Sequence, residues 1–182
     1  DGSLWRLGKK GIKNIILDVN NLSIKNKTDE LIPNLVSVSR AIAISYNKNN
    51  KRLYVTNGCP RGNYTIQEYG TAAQISSYDG NSWKNEVPTD LKGYSFQDPA
   101  QLVFDPNEEN TYYAGTWFQG VFKVRNNEIV AKYDWTNSTL IHALNNWFCY
   151  TPCVQFDASG NLWVLQSTGG YINVLSKNKV SL

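Results

Sequence analysis

The residue types that perform acid–base and nucleophilic chemistry are sparse in this sequence. His142 is the only histidine among the 182 residues, and no Gly-x-Ser-x-Gly motif supplies a serine nucleophile. A Ser-His-Asp triad would therefore need partners that no local motif provides. We expect His142 to be structural or exposed, and we predict that the protein is not an enzyme.

The aspartates that could act as paired carboxylates all occur in turn sequences. Asp79 precedes a glycine, Asp105 precedes Pro-Asn, and Asp157 precedes Ala-Ser-Gly. Two carboxylates on either side of a glycosidic bond would suit glycoside hydrolysis. Aspartate is also common in turns, because its side chain bonds to the nearby backbone. We interpret all three residues as turn formers.

Three cysteines and one histidine are too few ligands for a structural zinc site. Cys149 and Cys153 are separated by three residues, rather than by the two of common zinc and redox motifs, and Cys59 stands alone. A Cys149–Cys153 disulfide is possible in an oxidising compartment, whereas buried free thiols are the default. The glycine pair at residues 169–170 lies between apolar runs, so it does not indicate a phosphate-binding loop before a helix. The sequence indicates no metal and no cofactor.

The composition favours short strands joined by tight turns. Aromatic residues make up 13% of the chain and charged residues only 18%, below the roughly 25% that is usual. Asparagine recurs in pairs, and it favours turns because it bonds to its own backbone and tolerates left-handed conformations. The net charge of +3 is small and scattered, so no nucleic-acid partner is predicted. No apolar run approaches the ~20 residues of a transmembrane helix.

One pattern recurs along the chain: an apolar strand, a polar turn, a strand that opens with an apolar or aromatic pair, then glycine and another strand. Its clearest copy runs from CVQF at residues 153–156 through the turn DASG to NLWVL at 161–165 and YINVL at 171–175. The second strands of the copies are anchored at Leu4, Leu53, Tyr112 and Leu162, about 50 to 60 residues apart. Units of four strands that repeat at about 40 to 50 residues are typical of β-propeller blades.

We therefore predict an all-β fold of about three to four four-stranded antiparallel blades, forming a fragment of a larger propeller. Residues 1–182 are assigned to a single propeller region, and residues 18–35 to an inter-blade loop. The alternative is a β-sandwich whose hairpins resemble one another by chance. Blades are favoured because each small meander can bury its faces only by stacking on its neighbours.

Candidate ligand-binding residues are the aromatic side chains of connecting loops. Trp117 and Phe118 precede a glycine between two strands, and Trp147 and Tyr150 lie on the connection into the last repeat. Loops carry function, and flat aromatic rings stack well on sugars. Packing between blades is the alternative role. Two further candidates, Arg61 and Tyr64, lie in the long insertion at residues 57–70.

The repeats resemble those of a known class of propeller. GNLWV at residues 160–164 and DGSLW at 1–5 are similar to the repeats of two-component-regulator propellers, which are common in outer-facing proteins of Bacteroidetes. LIP at residues 31–33, KRLYV at 51–55, SYDGNSW at 77–83 and FDPN at 104–107 follow in order. That order resembles the propeller family of the type IX secretion apparatus, which is linked to delivery of anionic lipopolysaccharide.

The resemblance implies a non-catalytic binding or scaffold module in the periplasm or at the cell surface. Other envelope or secretion proteins would be its partners, together with polysaccharide or lipopolysaccharide. The alternative function is the periplasmic, glycan-sensing propeller of a hybrid two-component regulator. The matched motifs contain blade-building residues, so they assign no binding residue.

Overall fold

The computed structural model describes residues 3–7, 12–18, 20–21, 23–27, 36, 38, 41–58, 70–143, 147–167 and 172–176. Within these residues the regular elements are β-strands, grouped into four antiparallel sheets. The chain divides into two compact units, Asp1–Leu35 and Val36–Leu182. The assignment of the whole chain to one propeller region remains a prediction.

The first unit contains a three-stranded meander. Its strands are β1 (Ser3–Leu7), β2 (Ile12–Asp18) and β3 (Ser23–Lys27), in the order β1-β2-β3. A turn at residues 20–21 reverses the chain, and the Asn21 side chain accepts the backbone N–H of Ser23. Because β3 pairs with β2, residues 23–27 are a strand, and the prediction of a loop across 18–35 was wrong there.

The second unit contains three consecutive meanders. The first two have the predicted four strands each, and the third has three among the described residues. The strands are β4 (Ala43–Asn47), β5 (Arg52–Thr56), β6 (Ile75–Tyr78) and β7 (Trp83–Asn85); β8 (Pro99–Phe104), β9 (Thr111–Thr116), β10 (Val121–Arg125) and β11 (Glu128–Tyr133); and β12 (Cys153–Phe156), β13 (Leu162–Leu165) and β14 (Ile172–Leu175). The anchors of the repeat lie on β1, β5, β9 and β13.

The turn after the first strand of each meander in the second unit has the same construction. The side chains of Asn47, Asp105 and Asp157 each accept the backbone N–H of the residue two positions on, at 2.8 to 2.9 Å. A short side chain that caps its own turn favours chain reversal at that point. The sequence repeat therefore corresponds to a structural repeat.

A second feature of these hairpins is a residue with positive φ just before the second strand, one position before it in the first two meanders and two positions before it in the third. It is Lys51 in the first meander, Asn110 in the second and Gly160 in the third, with φ of 55°, 53° and 81°. The β10–β11 hairpin turns at Asn126 and Asn127, both with positive φ. Two consecutive residues of this kind form the turn that matches the twist of paired strands, which is why asparagine pairs are favoured there.

The sheets of the second unit stack face to face in chain order. Phe122 and Ile129 of the second sheet are fully buried against Ile75 of the first, and the Phe122 ring lies 4.7 Å from that of Phe96. A second core lies between the second and third sheets, where Val121 packs with buried residues that include Val154, Leu162 and Val164. Each sheet thus buries a face that it could not bury alone.

Candidate binding surface

Two loop segments that the sequence separates by 30 residues lie side by side. The carbonyl of Phe118 accepts the N–H of Cys149 at 2.7 Å, and the carbonyl of Cys149 accepts the N–H of Gly120 at 2.9 Å. The N–H of Thr151 also donates to the carbonyl of Thr116 at 3.1 Å. These bonds fix the β9–β10 loop against the segment that leads into β12.

The fixed backbone brings four aromatic rings together. The Trp117 and Tyr150 rings meet edge to face at 5.7 Å, as do those of Phe118 and Phe148 at 5.5 Å. The Phe148 and Tyr150 rings join the two pairs at 5.8 Å. We call this set, Trp117, Phe118, Phe148 and Tyr150, the aromatic cluster.

The aromatic cluster is half-buried, and an exposed tryptophan precedes Phe148 in the chain. Trp147 has 78% of its surface exposed, whereas the four cluster residues are intermediate in exposure. The structure thus places three predicted ligand-binding residues in one cluster, and it adds Phe148, which was not singled out. The ring types are those enriched at binding hot spots, but a binding role for these residues remains a prediction.

Gln119 holds the β9–β10 loop from its other side. Its amide nitrogen donates to the carbonyl of Ser95 at 3.0 Å, and its amide oxygen accepts the N–H of Gln97 at 2.8 Å. Gly120 follows at φ +87°, with the Tyr133 carbonyl 2.2 Å from where a Cβ would lie. No local sequence signal marks Gln119, because the partners of its side chain lie more than 20 residues away.

A buried aspartate fixes the base of the long insertion. The carboxylate of Asp98 accepts the N–H of Gly70 at 2.6 Å and that of Thr71 at 3.0 Å, while the carbonyl of Pro99 accepts the N–H of Gly58 at 2.9 Å. Burial raises the pKa of Asp98, and the two backbone donors act in the opposite direction. The predicted binding residues Arg61 and Tyr64 lie outside the described residues.

The two cysteines of the third repeat have different surroundings. Cys149 is fully buried, and this burial raises the pKa of its thiol to about 12. Cys153 is exposed, which differs from the buried thiol that was the default expectation. Both are free thiols, and Cys59 lies outside the described residues.

The residues considered for catalysis occupy structural or exposed positions. His142 is exposed, with a ring nitrogen 2.8 Å from the Ala143 carbonyl and its ring edge-on to Trp135 at 5.9 Å. Asp79 caps its own turn by accepting the N–H groups of Asn81 and Ser82, both at 2.9 Å. In the part of the chain that the structure describes, no three His, Cys, Asp or Glu side chains group as metal ligands.

Asp157 makes the most elaborate of these turns. Its carboxylate accepts hydrogen bonds from the Trp163 indole N–H, the Asn161 side chain and backbone, and the Ser159 N–H. Because these donors stabilise the charged form, led by Trp163, they lower the pKa of Asp157 to about 2. The indole donor lies on the next strand, so the carboxylate joins the turn to β13.

Consecutive antiparallel meanders stacked face to face define the class of the fold, which is all-β and built of β-propeller blades. The structure of PorZ from Porphyromonas gingivalis, described as an essential bacterial surface component of the type IX secretion system, is similar to the chain with a TM-score of 0.64. The similarity covers 100% of this chain at 21% sequence identity. The chain spans 24% of the length of that protein.

Searches of protein-family models and of curated proteins found no match to this chain. Across the described residues, no helix is both long and apolar enough to cross a membrane.

Proposed function

We propose that the chain is a non-catalytic binding and scaffold module of a cell-envelope protein that takes part in type IX secretion. The observation that carries the proposal is the likeness in fold, over the whole chain, to a surface component of that system. The proposed location is the periplasm or the cell surface. The proposed role is to hold a partner while surface cargo is delivered or attached.

The aromatic cluster and Trp147 are the proposed contact surface. Aromatic side chains supply much of the binding energy at protein interfaces when a partner removes them from water. Trp147 exposes 78% of its surface beside a half-buried cluster whose backbone is fixed by hydrogen bonds, so little ordering would be needed on binding. The partners that we propose are envelope or secretion proteins, with polysaccharide or lipopolysaccharide as the other class.

The test is capture of partners by the immobilised chain from an envelope extract of the organism that encodes it. Cross-linking and mass spectrometry would identify the proteins bound, and a lipopolysaccharide stain would detect the other class. We expect Trp147→Ala to weaken capture of the principal partner by at least about tenfold, as is typical of a hot-spot residue. Tyr46→Ala is the matched control, because Tyr46 is an aromatic residue with 55% exposure on β4.

The proposal fails if the captured proteins contain no envelope or secretion component. It also fails if Trp147→Ala and Tyr46→Ala retain the same partners equally well. Turnover of a surface polysaccharide by the purified chain would contradict the non-catalytic part of the proposal.

A further inference from the structure

Two clefts occupy equivalent positions between the stacked sheets of the second unit. The cleft between the first and second sheets encloses about 300 Å³, and the one between the second and third about 630 Å³. Their lining residues correspond. Tyr54 and Phe104 of the smaller cleft occupy the same positions in their strands as Tyr113 and Phe156 of the larger cleft. Small-molecule sites span roughly 300 to 1,000 Å³, so the larger cleft has the volume of a ligand site.

Aromatic side chains form much of the wall of the larger cleft. The Tyr113 ring meets that of Phe156 edge to face at 5.4 Å and lies 6.4 Å from that of Tyr133. Trp135, in the loop after β11, also lines the cleft. Aromatic faces of this kind pack against the C–H groups of a ligand ring.

The same wall carries hydrogen-bonding groups that have no partner among the described residues. The hydroxyls of Tyr113, Tyr133 and Thr139 and the indole N–H of Trp135 make no hydrogen bond with any residue that the structure describes. Burial raises the pKa of Tyr113, so its hydroxyl stays protonated at neutral pH and can donate. A purely apolar ligand would leave these groups unpaired and out of water, which is unfavourable.

The charges that line the cleft favour a neutral ligand over an acidic one. Two carboxylates, Asp105 and Glu108, and one cation, Lys123, line it. Lys123 lies 3.0 Å from Glu108, which Arg125 also contacts, and only 13% of the Lys123 side chain is exposed. Among the described lining residues, the one cation is therefore already paired with Glu108, and none is left to pair with an anionic ligand.

We propose that the cleft between the second and third sheets binds a neutral saccharide. The apolar face of a pyranose ring would pack on the aromatic wall, and its hydroxyl and ring oxygens would accept hydrogen bonds from the unpaired donors. This site is separate from the aromatic cluster, so its failure would leave the proposed function standing.

The test is a titration of the ¹⁵N-labelled chain, followed by NMR. The probes are glucose, galactose, mannose, N-acetylglucosamine, lactose and cellobiose, with glucuronate and galacturonate as acidic counterparts. Trp135→Phe identifies the Trp135 indole signal by its disappearance. We expect at least one neutral sugar to shift that signal saturably, while the signal of Trp163 on β13 stays in place and the acidic sugars cause no saturable shift.

Two conservative variants test the site without removing a ring or changing a shape. Tyr133→Phe deletes one hydroxyl, and Thr139→Val replaces one hydroxyl by a methyl group. Each should weaken the binding of the sugar about 3- to 10-fold, because one neutral hydrogen bond is lost. Tyr46→Phe makes the same change at an exposed position of β4 and should leave the affinity unaltered.

Three results would overturn the inference. The first is the absence of a saturable shift with every neutral sugar. The second is equal binding of glucuronate or galacturonate, which would show that the charges of the cleft do not select a neutral ligand. The third is unchanged affinity in both Tyr133→Phe and Thr139→Val, which would place the sugar elsewhere on the chain.

Discussion

Replacement of Gly115 by alanine should weaken the packing of the second sheet against the third. A Cβ at this position would lie 2.3 Å from the carbonyl oxygen of Thr151 and 3.1 Å from a methyl carbon of Val154. Real Cβ atoms essentially never lie within 3.0 Å of such a neighbour, so the backbone at Thr151 would have to move by about 1 Å to restore an ordinary contact. That movement is resisted, because the N–H of Thr151 donates to the carbonyl of Thr116.

The expected loss is about 2 to 3 kcal/mol, in the upper part of the range for overpacked sites, because the obstructing atom belongs to the backbone. For a chain of this size this loss corresponds to a fall in melting temperature of about 5 to 10 °C. Thermal unfolding followed by circular dichroism would measure it. The same variant should also shift the NMR signals of the neighbouring aromatic cluster, because Thr151 directly follows Tyr150.

Gly93→Ala separates steric contact from backbone strain. A Cβ at Gly93 would meet no atom within 4 Å, but its φ of +70° disfavours alanine, at a cost of about 1 kcal/mol. Gly115 has no positive φ, so its loss comes from contact alone. A Gly115→Ala protein that melts within 2 °C of the unaltered chain, or no lower than Gly93→Ala, would refute this account of the interface.

Three further outcomes are expected. Phe122→Ala removes a fully buried ring and should lower the free energy of unfolding, measured in urea, by about 3 to 5 kcal/mol. Leu91→Ala, at an exposed position, should lower it by less than about 0.5 kcal/mol. Equal losses would contradict the assigned core. Because its folded-state pKa lies near 2, below the unfolded value, Asp157 should stabilise the fold above about pH 4, and this contribution should be lost as the pH falls through about 2. The difference in urea midpoint between the unaltered chain and Asp157→Asn should shrink over that window, and a constant difference would refute the assignment. Iodoacetamide at pH 8 should alkylate Cys153 in the folded chain and Cys149 only after unfolding, as peptide mass mapping would show; early alkylation of Cys149 would mean that its thiol is accessible.

Local sequence signals predicted the turns because turn geometry depends on neighbouring residues. Asp105 and Asp157 were interpreted as turn formers, and each accepts a backbone N–H two residues on. The asparagine pair at residues 126–127 indicated a tight turn and has the predicted left-handed conformation. The same approach missed β3, because Ser23–Lys27 is mostly polar and carries little apolar signal. Its strand conformation depends on pairing with β2.

The sequence by itself determined the class of fold, since repeated apolar strands and capped turns indicate small antiparallel meanders. It also showed which aromatic residues lie in loops. Only the tertiary structure decided that Trp117 meets Tyr150, 33 positions along the chain, and that Phe148 completes the cluster. It alone formed the 630 Å³ cleft. The physical reason is that both features depend on how one sheet stacks on the next, and such contacts between distant residues leave no periodic trace in the sequence.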